Sequence, residues 1–303
     1  MRYPLILGHL MSRPWAMRPD TMRAFAQILH AAEMGQRSSV PLLGANGEGA
    51  KPEVQGMRWA RKSARGSVEM EYVSPTQRKE GSPTKAVAVI PMHGIIAKYV
   101  DRGACDSSFD LQDFDRDLSA AANDPNITQI VIHAHSPGGS CTGVAETANR
   151  IAQVADDVKP VYLYTDSDCC SAAYWQAASC TNIFASEMAC VGSIGVYLAW
   201  IDQARWMEAQ GYDLKLFKAG TFKAATLPGQ LTDEAGQLLQ AEVDAIAQTF
   251  YGWVGERRAR AGVAVDQATM QGQTFLGRDA LAVGLVDGLY NGLNELLNDL
   301  LNS

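Results

Sequence analysis

Residues 127–165 read ITQIVIHAHSPGGSCTGVAETANRIAQVADDVKPVYLYT. The opening ITQIVIHAH is a strand-like run, TGVAETANRIAQVAD carries its apolar residues at helical spacing, and KPVYLYT is strand-like again. Strands joined by a helical crossover pair in parallel, so the expected fold is α/β, with sites where strands end and loops begin.

The alternation continues in both directions. AVAVIPMHG from residue 86 reads as a buried strand and FDLQDFDRDLSAAAND as a helix. Downstream, SAAYWQAAS suits a short helix, NIFAS and SIGVYLAW strands, IDQARWMEAQG a helix and DLKLFKAG a strand. A long helix follows from residue 233, with Ala235, Leu238, Leu239, Val243, Ile246, Phe250 and Val254 on one stripe that suits the core or a subunit interface. Three regions result. Residues 1–50 form an N-terminal arm with an amphipathic helix near 20–34, residues 51–85 are expected as a polar flexible linker, and residues 86–303 form the main domain.

With 303 residues and 47% hydrophobic content, the chain can build a sizeable core. Its net charge of -7 argues against a nucleic-acid partner. The start of the chain lacks a signal-peptide pattern, and no run is long enough for a membrane anchor; the longest apolar run, 188–201, reads as buried strand. A cytoplasmic protein is expected. The six cysteines (105, 141, 169, 170, 180 and 190) fall mostly in apolar elements and are expected as reduced thiols. Their spacing fits no usual ligand pattern, so neither a metal nor another cofactor is expected.

Three loops after strands hold the chemistry. SPGGS places Gly138 and Gly139 where backbone N–H groups can turn toward an oxyanion, although an ordinary Pro-Gly turn explains the same residues. DSDCCSAAYW places Ser171 at a strand-to-helix junction, either as a helix cap or as a nucleophile. TFKAATLPG sets Lys223 among small apolar residues, and a lysine acts as a base only where its neutral form is favoured by desolvation; a surface lysine is the plain alternative. All five histidines (9, 30, 93, 133 and 135) precede Ser171, which excludes a histidine following the serine. If Ser171 is a nucleophile, lysine is the expected base.

SPGGSCTG, DCCSAAYWQAAS, VGSIGV, AGTFKAATLP and FLGRDALAVGLVD, in that order, resemble the signal peptide peptidase A family of Ser-Lys proteases over residues 86 to about 290. The resemblance implies the ClpP/crotonase fold of repeated ββα units, with Ser171 as nucleophile, Lys223 as general base, Gly138 and Gly139 at the oxyanion site, and Ser193 orienting the lysine. The chain departs from the family at Ala172 and Ala173, where two glycines are common, and at His135, where an acidic residue is common.

The segment MSRPWAMRPDTMRAFAQIL looks like the start of phage head-maturation proteases. That subgroup implies processing of capsid, scaffold or portal proteins in the host cytoplasm or procapsid by a ring-like homo-oligomer. The alternatives are a cytoplasmic bacterial protease of the same family, a crotonase-like acyl-CoA enzyme on the same fold, and an inactive structural capsid component.

Overall fold

The computed structural model describes residues 14–18, 21, 56–63, 66–72, 85–99, 108–227, 229 and 231–303. Apart from Thr21, the helix expected at 20–34 lies outside them. The elements preceding the main domain are β1 (Trp15–Met17), β2 (Arg58–Lys62) and β3 (Val68–Tyr72). The latter two correct the linker expected over 51–85. Strand β2 pairs antiparallel with β3 and with the first strand of the main domain, burying Trp59 and Ala60. Arginine, lysine and glutamate along these short strands hide their alternation, and those on β3, the edge of the sheet, discourage edge-to-edge association.

Main-domain strands and helices then follow the expected order. Strand β4 (Ala86–His93) continues into β5 (Ile95–Ala97) and β6 (Ser108–Asp110), which lead into α1 (Leu111–Asn123). Strand β7 (Ile127–Ser136) continues into β8 (Gly138–Ser140) and α2 (Val144–Asp157). Strands β4 and β7 therefore each run from the large sheet into a short strand of a second sheet before their helices, a repeated ββα arrangement.

Asp110 caps α1 by accepting from the Gln112 amide, and Lys159 Nζ donates to the carbonyls of Ala121, Asp124 and Ile127 where that helix hands over to β7.

The rest of the chain comprises β9 (Val161–Cys170), α3 (Ala172–Ala177), β10 (Asn182–Ala185), β11 (Cys190–Gly192), α4 (Ala204–Ala209), α5 (Asp233–Arg260), β12 (Thr274–Leu276), α6 (Gly277–Ala282), β13 (Gly288–Leu289) and α7 (Leu293–Leu300). The large sheet runs β12-β11-β9-β7-β4-β2-β3, with β10 also on β9 and β13 on β10. Its centre, β4-β7-β9, is parallel, as the crossovers require. The second sheet runs β1-β8-β5-β6. Between the sheet and the helices lies a core that includes Ile90, Phe114, Ile130, Ile132, Ile151, Leu163, Tyr174 and Phe250.

Two expected strands are absent. SIGVYLAW gives only a bridge at Tyr197, because left-handed backbone at Gly192 (φ 117°) and Ser193 (φ 52°) turns the chain off the sheet after β11. The run expected as buried strand over 188–201 is therefore strand only at β11. DLKLFKAG has no strand partner and is mostly exposed, so β-propensity alone does not hold it in a ladder.

Candidate active site

Strand β9 runs on to Cys170, five residues beyond its sequence-predicted end, because a bulge of Asp166–Asp168 on β9 lets Ser136 pair with Cys169 after Ala134 has paired with Thr165. That extension delivers Ser171 directly onto α3. Ser171 is 1% exposed and adopts φ 57° and ψ −118°, a conformation that is rare and costly for a side-chain-bearing residue. Its amide donates to Gly192 O (2.7 Å) and its carbonyl accepts from the Trp175 amide (2.9 Å). The hydroxyl makes no capping bond and reaches only Gly195 O, at 3.5 Å. Helix capping therefore does not explain this serine.

The SPGGS loop faces the same junction. Gly138 has φ 99°, and a β-carbon there would collide with the Ala16 carbonyl and come within 2.9 Å of both Cys170 O and Ser171 Cβ. At Gly139 a β-carbon would collide with the backbone of Ile96. Only glycine permits this approach of backbone to the serine. The Gly138 amide donates to Ser136 Oγ (3.2 Å), and that hydroxyl donates to Gly94 O (2.6 Å).

Beside Ser171 lies a polar cluster that the sequence reading did not identify. Asp168 and Cys170 are on one face of β9, and Cys190 is the register partner of Asp168 on β11. The Cys170 thiol donates to Cys190 Sγ (3.8 Å), while Arg18 Nη1 donates to Asp168 Oδ1 (2.7 Å) and to Cys190 Sγ (3.6 Å). Hydrogen bonding from Cys170 is the main cause lowering the Cys190 thiol to about 6; burial opposes the shift, and Thr274 and Arg18 support it. One donor atom each from Asp168, Cys170 and Cys190 lies within 4.8 Å of the others, a cluster able to hold a cation, and the Arg18 guanidinium supplies one. The only sequence signal was the alternation in DSDCC, which becomes visible once the strand is extended past Thr165.

Lys223 and Ser193 stand differently. Ser193 is buried, with its amide donating to Gln273 O (2.7 Å). Lys223 is exposed, its backbone amide donates to Gly220 O, and no hydrogen bond among the described residues joins its side chain to Ser171 or Ser193. The apolar shielding expected around it is not formed within one chain: Phe222 and Leu227 are exposed, and only Ala224 beside them is buried. The single chain thus brings together Ser171, Gly138 and Gly139, with Ser193 in the segment that crosses Ser171, while the Lys223 side chain is exposed and unbonded to either serine.

The described histidines form a separate group. His133 meets Asp166 (3.2 Å), His135 meets Ser167 Oγ (2.6 Å), and the His93 ring packs edge-on to both. Burial, reinforced by those two neighbours, lowers His93 to about 4. None of the three is hydrogen-bonded to Ser171. His9, His30 and Cys105 lie outside the described residues. The other five cysteines are free, as expected, and no helix among the described residues is long and apolar enough to cross a membrane.

Comparison with known proteins bears out the family-level resemblance. Residues 153–300 match the model of peptidase family S49. Capsid assembly protease C of Escherichia phage lambda is 31% identical over 172 residues, covering 56% of this chain and 38% of that protein. Protease 4 of Salmonella typhi is 26% identical over 164 residues, covering 54% of this chain and 26% of that protein. The chain thus spans well under half the length of either relative. Among solved structures, the 1510-N membrane protease from Pyrococcus horikoshii, specific for a stomatin homolog, aligns with a TM-score of 0.36 at 17% identity, covering 70% of this chain and 76% of that one.

Proposed function

We propose that this chain, with its match to peptidase family S49, is a serine endopeptidase in which Ser171 is the nucleophile and Lys223 the general base. The observation that carries the reading is the buried Ser171, held at positive φ without a capping bond and opposed by Gly138 and Gly139. Strain of this kind persists only where surrounding structure enforces it, and it concentrates at sites of chemistry.

In the proposed cycle the neutral Lys223 amine takes the proton from Ser171 Oγ as that oxygen attacks a peptide carbonyl. Amides of the Gly138–Gly139 loop stabilise the oxyanion, which requires the Gly138 N–H to leave Ser136 Oγ. The protonated lysine then passes its proton to the leaving amine, and water attacks the acyl-serine to release the second product and restore the hydroxyl. Ser193 is assigned to orient the lysine.

Lys223 is exposed in the single chain, and self-association supplies a way to desolvate it. In the preceding stretch of chain Ile201, Trp206, Tyr212, Leu214 and Phe217 are exposed, Phe217 at 93%. So many exposed large apolar side chains in one stretch of chain suit a surface that meets a partner. We assign it to contacts between copies in a ring-like homo-oligomer, whose assembly desolvates Lys223. Similarity to capsid assembly protease C supports capsid, scaffold or portal proteins as substrates, met in the host cytoplasm or the procapsid.

The test is mass-spectrometric identification of cleavage products from an unfolded protein substrate, comparing wild type with Ser171→Ala and Lys223→Ala. Products from wild type alone are expected. The same products from Ser171→Ala would remove the assignment.

A further inference from the structure

Residues 14–18, PWAMR, lie along the loop that faces Ser171. Strand β1 lies antiparallel on β8, with Ala16 opposite Gly139 and Met17 opposite Gly138. On its other edge Trp15 exchanges two backbone hydrogen bonds with Tyr197 (2.8 and 3.0 Å), and the Arg18 amide donates to Pro137 O (3.0 Å). The segment is thus strung between the SPGGS loop and the chain that leaves Ser193. Trp15, Ala16 and Met17 are buried, and the Ala16 carbonyl shares with Ser171 Cβ the small space that a β-carbon on Gly138 would need. An extended segment added to the strand edge beside a reactive serine is how a peptide substrate would be presented.

The last side chain of the segment has its own receptor. Arg18 is paired with Asp168 and donates to Cys190, the cross-strand pair beside the nucleophile. A guanidinium, with five donors in a fixed fork, suits two acceptors arranged this way.

We infer that residues 14–18 occupy the chain's own peptide cleft as a pseudosubstrate, and that Asp168 with Cys190 forms the pocket that receives a basic side chain from any peptide bound there in their place. The inference rests on the peptidase reading and deepens it. Substrates carry Arg or Lys at the second position after the residue whose carbonyl faces Ser171, as Arg18 follows Ala16. The arm must withdraw before a substrate enters.

The experiment measures binding rather than turnover, in full-length protein carrying Ser171→Ala. The probe is a fluorescent peptide of residues 11–20, MSRPWAMRPD, and a second version with glutamate in place of the arginine at position 18. Adding Arg18→Glu to the protein weakens the arm, so the arginine peptide should bind about tenfold tighter than to the parent, the scale of one charge-assisted hydrogen bond. The glutamate peptide should not share that gain, and Asp168→Arg should invert the preference. Equal binding to parent and Arg18→Glu, or equal binding of the two peptides, would overturn the inference.

If Arg18→Glu fails to fold, hydrogen exchange in the parent decides: saturating arginine peptide should speed exchange at the Trp15 and Arg18 amides, and unchanged exchange would sink the idea. Predicted binding without cleavage by the Ser171 form would remove the peptidase reading and leave the cleft. Cleavage without displacement of the arm would do the reverse.

Discussion

At Ser171 the structure turns a choice between two roles into a geometric argument. A capping serine sits in extended backbone and lends its oxygen to an amide of the first turn; this one has positive φ and lends its oxygen to none. The residue type, its place after a strand and the glycines facing it were legible in the sequence. The backbone conformation was not, because it is set by β11 and the SPGGS loop, which are remote along the chain.

Cys190 is the other residue whose state depends on such contacts. Its thiol, lowered to about 6, is already largely thiolate at neutral pH, whereas burial pushes Cys141 up to about 12. Deprotonation occurs on raising pH through the folded value, so alkylation of Cys190 by iodoacetamide, followed by peptide mass spectrometry, should rise around pH 6 and level off by about pH 8. Cys141 should stay unlabelled over the same range. A Cys190 rate still climbing steeply above about pH 8 would show an ordinary thiol.

Among the elements, α5 shows what periodicity can and cannot tell. Its stripe was correctly placed on a long helix, yet Phe250 and Val254 are buried while Leu238 is exposed. Spacing defines a face without saying what covers it. The second half is fixed by charge as well. Arg258 donates to both oxygens of Asp287 (2.7 and 3.0 Å) and to Gly284 O (2.9 Å), and Asp287 accepts from the Ile183 amide (2.7 Å). This nearly inaccessible arginine ties α5 to the start of β10 and to the turn before β13.

Arg258→Ala leaves a carboxylate and a carbonyl without their partner and should cost about 3–5 kcal/mol in urea denaturation. Arg260→Ala, which removes an exposed pair with Glu256, should cost under about 1 kcal/mol. Equal losses at the two positions would contradict the role given to Arg258. The sequence reading missed this tie because adjacent arginines near a helix end look like a solvated face.

For the molecule as a whole, the parallel centre of the large sheet and its crossovers were legible, since β4 reads as a nearly continuous apolar run and β7 and β9 each carry a buried apolar stretch, Ile130–Ile132 and Leu163–Tyr164. The edges were not. Strands β2 and β3 carry charge, and β1 gains its place from β8 and Tyr197 rather than from its own pattern. The site divides in the same way: Ser171 and the glycines come together within one chain, while Lys223 stands exposed. Assembly is therefore part of the proposed catalytic unit.

Labelling by a fluorophosphonate, read by peptide mass spectrometry, tests this account most directly, because the reagent adds to the hydroxyl oxygen of an activated serine. The account predicts one adduct, on Ser171, which is lost in Lys223→Ala and declines when the protein is diluted to single chains. An adduct that forms equally well in Lys223→Ala, or one on a serine other than Ser171, would contradict it.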